Sequence, residues 1–114
     1  MSQDFENDPQ RGVALRSRTE KKITRPRMYR VLIHNDDYTP QDFVVRLLET
    51  VFHMTTSRAT AVMLHVHNNG VGVAGVFTHE IAETKVAQVH MAARKNESPL
   101  IATIEPEEDP DAES

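Results

Sequence analysis

Apolar and polar positions alternate between two periods along this chain, and the changes of period divide it into six elements. MYRVLI, Met28 to Ile33, is rich in Tyr, Val, Leu and Ile and predicts a strand. Thr39-Pro40-Gln41-Asp42 then signals a helix start, with Thr39 as N-cap, Pro40 at the first helical position and Asp42 in the first turn. Phe43, Val44, Leu47, Leu48, Val51 and Phe52 follow at helical spacing, so this helix buries one face. Thr55-Thr56-Ser57 opens a second helix whose apolar face is Ala59, Val62, Met63 and Val66. Asn68-Asn69-Gly70 ends it, Gly70 suiting a left-handed C-terminal position. Val71 to Phe77 is a second strand, in which Gly72 and Gly75 indicate close backbone approach or a bulge. Thr78 is expected to cap a third helix with Glu80 in its first turn and Ile81, Ala82, Val86, Val89 and Ala93 as its buried stripe. Ser98-Pro99 is a turn, and Leu100 to Ile104 is the last strand.

The order β-α-α-β-α-β predicts an α+β fold: a small sandwich of a three-stranded antiparallel or mixed sheet with three helices on one face. Charge adds boundaries to this picture. Residues 11–30 hold eight Lys and Arg against the single acid Glu20, and Glu105 to Ser114 hold six acids and no base. Neither end carries enough apolar surface to offset chain entropy. The expected organisation is a flexible basic extension over 1–26, a core domain over 27–105 and a disordered acidic tail over 106–114. No apolar run approaches the ~18–20 residues of a membrane span, and the acidic, polar N-terminus is unlike a secretory signal. A cytoplasmic, monomeric protein is the expectation, with no membrane partner.

Composition removes several chemistries. Cys is absent, so there is no thiolate metal site or disulfide framework. The six His residues stand at 34, 53, 65, 67, 79 and 90. His65 and His67 point roughly 200° apart on a helix and do not chelate one ion. No metal-ligand spacing, Gly-x-Ser-x-Gly nucleophile or Gly-rich phosphate loop occurs. No metal, no cofactor and no catalytic residue is therefore expected, and the protein is not read as an enzyme.

What stands out is Asn35-Asp36-Asp37 at the end of the first strand, with no cation beside it. Asn and Asp are common turn formers. His67 at a helix C-terminal end is commonly structural. Yet Met63, Val66 and His67 fall at i, i+3 and i+4, which joins an apolar wall to an imidazole on one helix face. An amide oxygen, a carboxylate and an imidazole together can accept the three N–H bonds of one ammonium group. With an adjacent apolar hollow, that set describes a receptor for the free α-amino end of a peptide starting with a bulky apolar residue. Two competing readings are a nucleic-acid-binding module acting through the basic arm 11–30 and a small hydrolase using Asp36, Asp37 and His67. The arm lacks interleaved aromatics, and residues 31–104 hold 5 bases against 7 acids.

The stretches MYRVLIHNDDYTPQDFVV, ATAVMLHVH, GVFTHEIAETKVAQV and SPLIATIE resemble ClpS, the bacterial N-degron adaptor of the ClpA–ClpP protease, over residues 27–105. The resemblance implies delivery of proteins with N-terminal Phe, Tyr, Trp or Leu to the AAA+ unfoldase ClpA. It also implies that Asn35, Asp37 and His67 bind the α-amino group, with Asp36 beside the following peptide backbone. Thr39, Val44, Met63, Val66 and Leu100 would line the side-chain pocket, with Gln41 and His34 at its rim. Glu80 and Lys85 would face the ClpA N-terminal domain, and the basic extension would be engaged during delivery. Nucleic acid is then not an expected partner. Two departures stand out: the family usually has Met at the position of Gln41 and an aliphatic residue at that of His34. Both substitutions imply weaker or more selective side-chain binding. The shape is also similar to that of the C-terminal domain of the large-subunit ribosomal stalk protein, so fold alone does not fix function.

Overall fold

The computed structural model describes residues 26–108, so most of the basic extension and residues 109–114 of the acidic tail lie outside the described residues. Six elements follow in the order β1 (Met28–His34), α1 (Gln41–Val51), α2 (Thr56–Asn69), β2 (Val71–Thr78), α3 (His79–Lys95) and β3 (Ile101–Pro106). The sheet is antiparallel throughout, in the order β2-β1-β3. The helices cover one face, as the pattern predicts.

Period-two alternation sorts β1 between the two faces. Val31 and Ile33 are fully buried beneath the helices with Leu48 and Val89, each burial being worth about 1.5–3 kcal/mol. Arg30, Leu32 and His34 point to the open face. There Arg30 pairs across the strands with Glu105. The strand β3 runs past the expected core boundary to Pro106, and the Glu107 amide still donates to the Met28 carbonyl at 2.8 Å. The first residues assigned to the tail are thus paired.

Both glycines of β2 do what their positions suggested. The register steps between Val31 and Leu32, opposite Gly75 and Val73, leaving Ala74 as a bulge. A Cβ on Gly72 would lie 2.7 Å from Val66 Cγ2, so the missing side chain lets α2 sit directly on the strand.

Three local expectations are corrected. Helix α1 starts at Gln41 with Pro40 as N-cap and no side-chain cap. Thr39 therefore lies one residue before the cap, where its hydroxyl donates to the Asp36 carboxylate. Thr78 occupies the N-cap position of α3 without a side-chain bond to it, while remaining paired opposite Met28 as the last residue of β2. Ile81 is 48% exposed. The buried stripe runs through Ala82, Val89 and Ala93, and Ile81 lies roughly 100° from Ala82 around the helix.

The end of α3 matters for the site. Glu97 is left-handed at φ 54°. Its amide donates to the Arg94 carbonyl at 3.1 Å, and the Ser98 amide donates to Ala93 at 2.8 Å. This is a Schellman closure whose left-handed position normally favours Gly. Glu97→Gly is expected to raise unfolding stability by about 0.5–1 kcal/mol in urea titrations. An unchanged or lower midpoint would show that the Glu97 side chain offsets its backbone strain.

Candidate functional site

The Asn35–Pro40 turn carries β1 into α1, and the Asp36 carboxylate holds it closed. One carboxylate oxygen, Oδ1, accepts from the Tyr38 and Thr39 amides, both at 2.8 Å. The other, Oδ2, accepts from Thr39 Oγ1 at 2.7 Å. Partial burial pushes this carboxyl up. The Thr39 hydroxyl and the Tyr38 and Thr39 amides outweigh that effect and hold it below the ordinary carboxylate range. With Asp36 engaged inward, its neighbour Asp37 stays exposed.

A second tie brings α2 to the same place. The Asn35 amide donates to the Gly70 carbonyl at 2.9 Å, and the Gly70 amide donates to Val66 at 2.8 Å. Gly70 is left-handed at φ 89°, which ends the helix within bonding reach of the turn. His67, in the last turn of α2, therefore lies beside Asn35 and Asp37.

Between these elements is a cavity of about 320 Å³, lined by Asn35, Asp36, Asp37, Thr39, Pro40, Gln41, Val44, Met63, Val66, His67 and Leu100. Its apolar wall is Val44, Met63, Val66 and Leu100, each at most 8% exposed. Asn35, Asp37, Gln41 and His67 are exposed at its mouth. The volume sits at the small end of the ligand-pocket range of roughly 300–1,000 Å³, enough for one side chain and a chain end. Amide, carboxylate and imidazole at the mouth can accept from an ammonium while the apolar wall holds its side chain. Among the described residues, no group of three or more potential ligands is placed to hold a metal ion, and no helix is long and apolar enough to cross a membrane.

Three residues named from the sequence are placed elsewhere. His34 is not on the cavity rim. Strand alternation turns it to the open sheet face, where its Nε2 bonds Thr103 Oγ1 at 2.7 Å. Glu80 is exposed in the first turn of α3. Lys85 is half-buried; its Nζ donates to the Val51 carbonyl at 2.7 Å and lies 6.0 and 5.8 Å from the Phe52 and Phe77 ring centres. Two contributors escaped the sequence reading. Pro40 lines the cavity. The Ser98 hydroxyl bonds Thr39 Oγ1 at 2.6 Å and accepts from the Leu100 amide at 3.1 Å. The Ser-Pro pair signalled a turn, but nothing local named its partner 59 residues away.

The family model described as ATP-dependent Clp protease adaptor protein ClpS matches residues 24–103. A ClpS adapter protein from Myxococcus xanthus is 48% identical over 108 residues, covering 95% of this chain and 99% of its own. ClpS 1 from Rhizobium meliloti is 50% identical, covering 92% of each chain. Among solved structures, Agrobacterium tumefaciens ClpS2 bound to L-phenylalaninamide superposes with a TM-score of 0.71 at 40% identity, over 73% of this chain and all of that one.

The Asp36 bonds give the turn a pH dependence whose sign is fixed. The folded-state pKa is depressed. Its stabilisation is therefore complete above the unfolded-state value near about 4 and is lost as pH falls through the lower folded-state value. Asp36→Asn is expected to cost about 1–2 kcal/mol at neutral pH in urea unfolding, with the gap to wild type narrowing below about pH 4. A gap independent of pH would show that the charge is not what holds the turn.

Proposed function

The chain belongs to the ClpS family of ATP-dependent Clp protease adaptors, and we propose that it captures proteins by a free, bulky N-terminal residue and delivers them to the ClpA unfoldase. As a member of that family it is an adaptor and not an enzyme: it binds, and its partner spends ATP. The observation that supports this reading most is the single cavity on which Asn35, Asp37 and His67 converge above the wall of Met63, Val66 and Leu100. An α-ammonium has three N–H donors, and those three side chains offer an amide oxygen, a carboxylate and an imidazole lone pair. A Phe, Tyr, Trp or Leu side chain then enters the hollow. The A. tumefaciens relative, bound to L-phenylalaninamide, is consistent with this assignment.

In this reading Asp36 has its carboxylate committed to the turn and meets the ligand from the side, beside its second residue. Delivery is assigned to the α3 surface that carries Glu80, toward the ClpA N-terminal domain. Lys85 contributes by tying α3 to the end of α1 through its bond to Val51. Gln41 is the position expected to set side-chain preference. Its amide stands at the cavity mouth, where a ligand ring would desolvate it.

Two binding experiments test the reading. A labelled peptide starting with Phe, followed by fluorescence anisotropy, is expected to bind at least ~100-fold more tightly with a free than with an acetylated α-amine. Hydrogen bonds to a charged group contribute about 1.5–3 kcal/mol each, and acetylation removes that charge. Equal binding of the two would rule out α-amine recognition. Gln41→Met is expected to tighten Phe- and Leu-led peptides by roughly 3- to 10-fold, through about 1 kcal/mol of added apolar contact. Unchanged affinity and ranking would remove Gln41 from the specificity determinants.

A further inference from the structure

We propose that the Ser98 hydroxyl is a positioning group that fixes the width of the side-chain pocket and thereby its selectivity. The proposal rests on the cavity being the seat of an N-terminal side chain. Two walls of that cavity come from distant parts of the chain. One is the Asp36–Thr39 turn; the other is Leu100, just before β3. The Ser98 hydroxyl is bonded to both.

The direction of the bonds follows from proton counting. Thr39 has one hydroxyl proton, and it goes to the Asp36 carboxylate at 2.7 Å. In the 2.6 Å contact between Thr39 Oγ1 and Ser98 Oγ, Ser98 is therefore the donor. The Ser98 oxygen is left free to accept from the Leu100 amide at 3.1 Å. A single relay results, from the Leu100 amide through Ser98 and Thr39 to a carboxylate. Each bond polarises the next, and the last is charge-assisted.

The segment that brings Ser98 and Leu100 into this relay is anchored on both sides. The Schellman closure of α3 holds the Ser98 backbone, through its amide bond to Ala93 at 2.8 Å. On the far side of Leu100, the Ala102 amide donates to His90 Nε2 on α3 at 3.1 Å. Leu100 is thus held between two side-chain acceptors, and its 4% exposure leaves little slack in the wall. Removing the Ser98 oxygen leaves the Leu100 amide without this acceptor and lets the two walls move independently. A looser pocket discriminates less between rings of different size.

The test compares wild type, Ser98→Ala and Ser98→Thr with Phe-, Trp- and Leu-led peptides by fluorescence anisotropy. An acetylated Phe-led peptide is the control. Ser98→Ala is expected to bind the Phe-led peptide roughly 3- to 10-fold more weakly. The Trp-led peptide is expected to lose less, so the Trp-to-Phe affinity ratio shifts toward Trp. Ser98→Thr, which keeps the hydroxyl, is expected to restore the wild-type ratio. A ratio of two dissociation constants does not depend on the folded fraction, so partial unfolding of the variant does not mimic this shift. A uniform loss for all peptides, or no loss, overturns the positioning role while leaving the pocket intact. If wild type itself binds free and acetylated peptides equally, the pocket reading fails and the proposal falls with it.

Discussion

The Asp36 carboxylate is the constraint on which the arrangement depends. It accepts three bonds within three residues, from two amides and a hydroxyl. Those bonds reverse the chain at the end of β1 and launch α1. They also explain why two adjacent carboxylates stand at a strand end without a cation. Asp36 is compensated by N–H and O–H dipoles. Asp37, next in the chain, has its direction set by the same turn and is left at the cavity mouth. One aspartate builds the turn that presents the other.

The imidazole reaches the mouth by a different route. Gly70 adopts a backbone conformation that ends α2 and directs its carbonyl to the Asn35 amide. Gly72 carries no Cβ and allows Val66 to rest on β2. Val66 and His67 are adjacent, so seating the first in the apolar wall sets the second at its rim. His67 at the mouth and Val66 in the apolar wall are therefore placed together by one helix–strand contact.

Much of this was legible in the sequence, for identifiable reasons. The six elements followed from hydrophobic period, and Gly70 and Gly72 announced a helix end and a close approach. The i, i+3, i+4 spacing of Met63, Val66 and His67 put those three on one face. What failed were competitions between local partners and long-range contacts. Thr39 has the sequence of an N-cap, but α1 starts one residue later with Pro40 at the cap, and the Thr39 hydroxyl bonds Asp36 and Ser98 instead. His34 stands directly before the turn in the sequence. Strand parity decides its direction: Val31 and Ile33 face the helices, so His34 faces away. Ile81 borders a stripe that the neighbouring Ala82 fills. Ser98 carries only a turn signal in the sequence, because its bond to Thr39 spans 59 positions and no local pattern encodes such a pairing.

The central claim is that this cavity receives a chain end, amine at the mouth and side chain within. Its most direct test is a crystal structure of the protein with a short peptide starting with Phe. The predicted result places the α-ammonium nitrogen about 2.7–3.2 Å from Asn35 Oδ1, the Asp37 carboxylate and a His67 ring nitrogen. The phenyl ring should lie against Met63, Val66 and Leu100. A complex with its α-amine turned to solvent, or with its ring on the open sheet face beside His34 and Leu32, would contradict it.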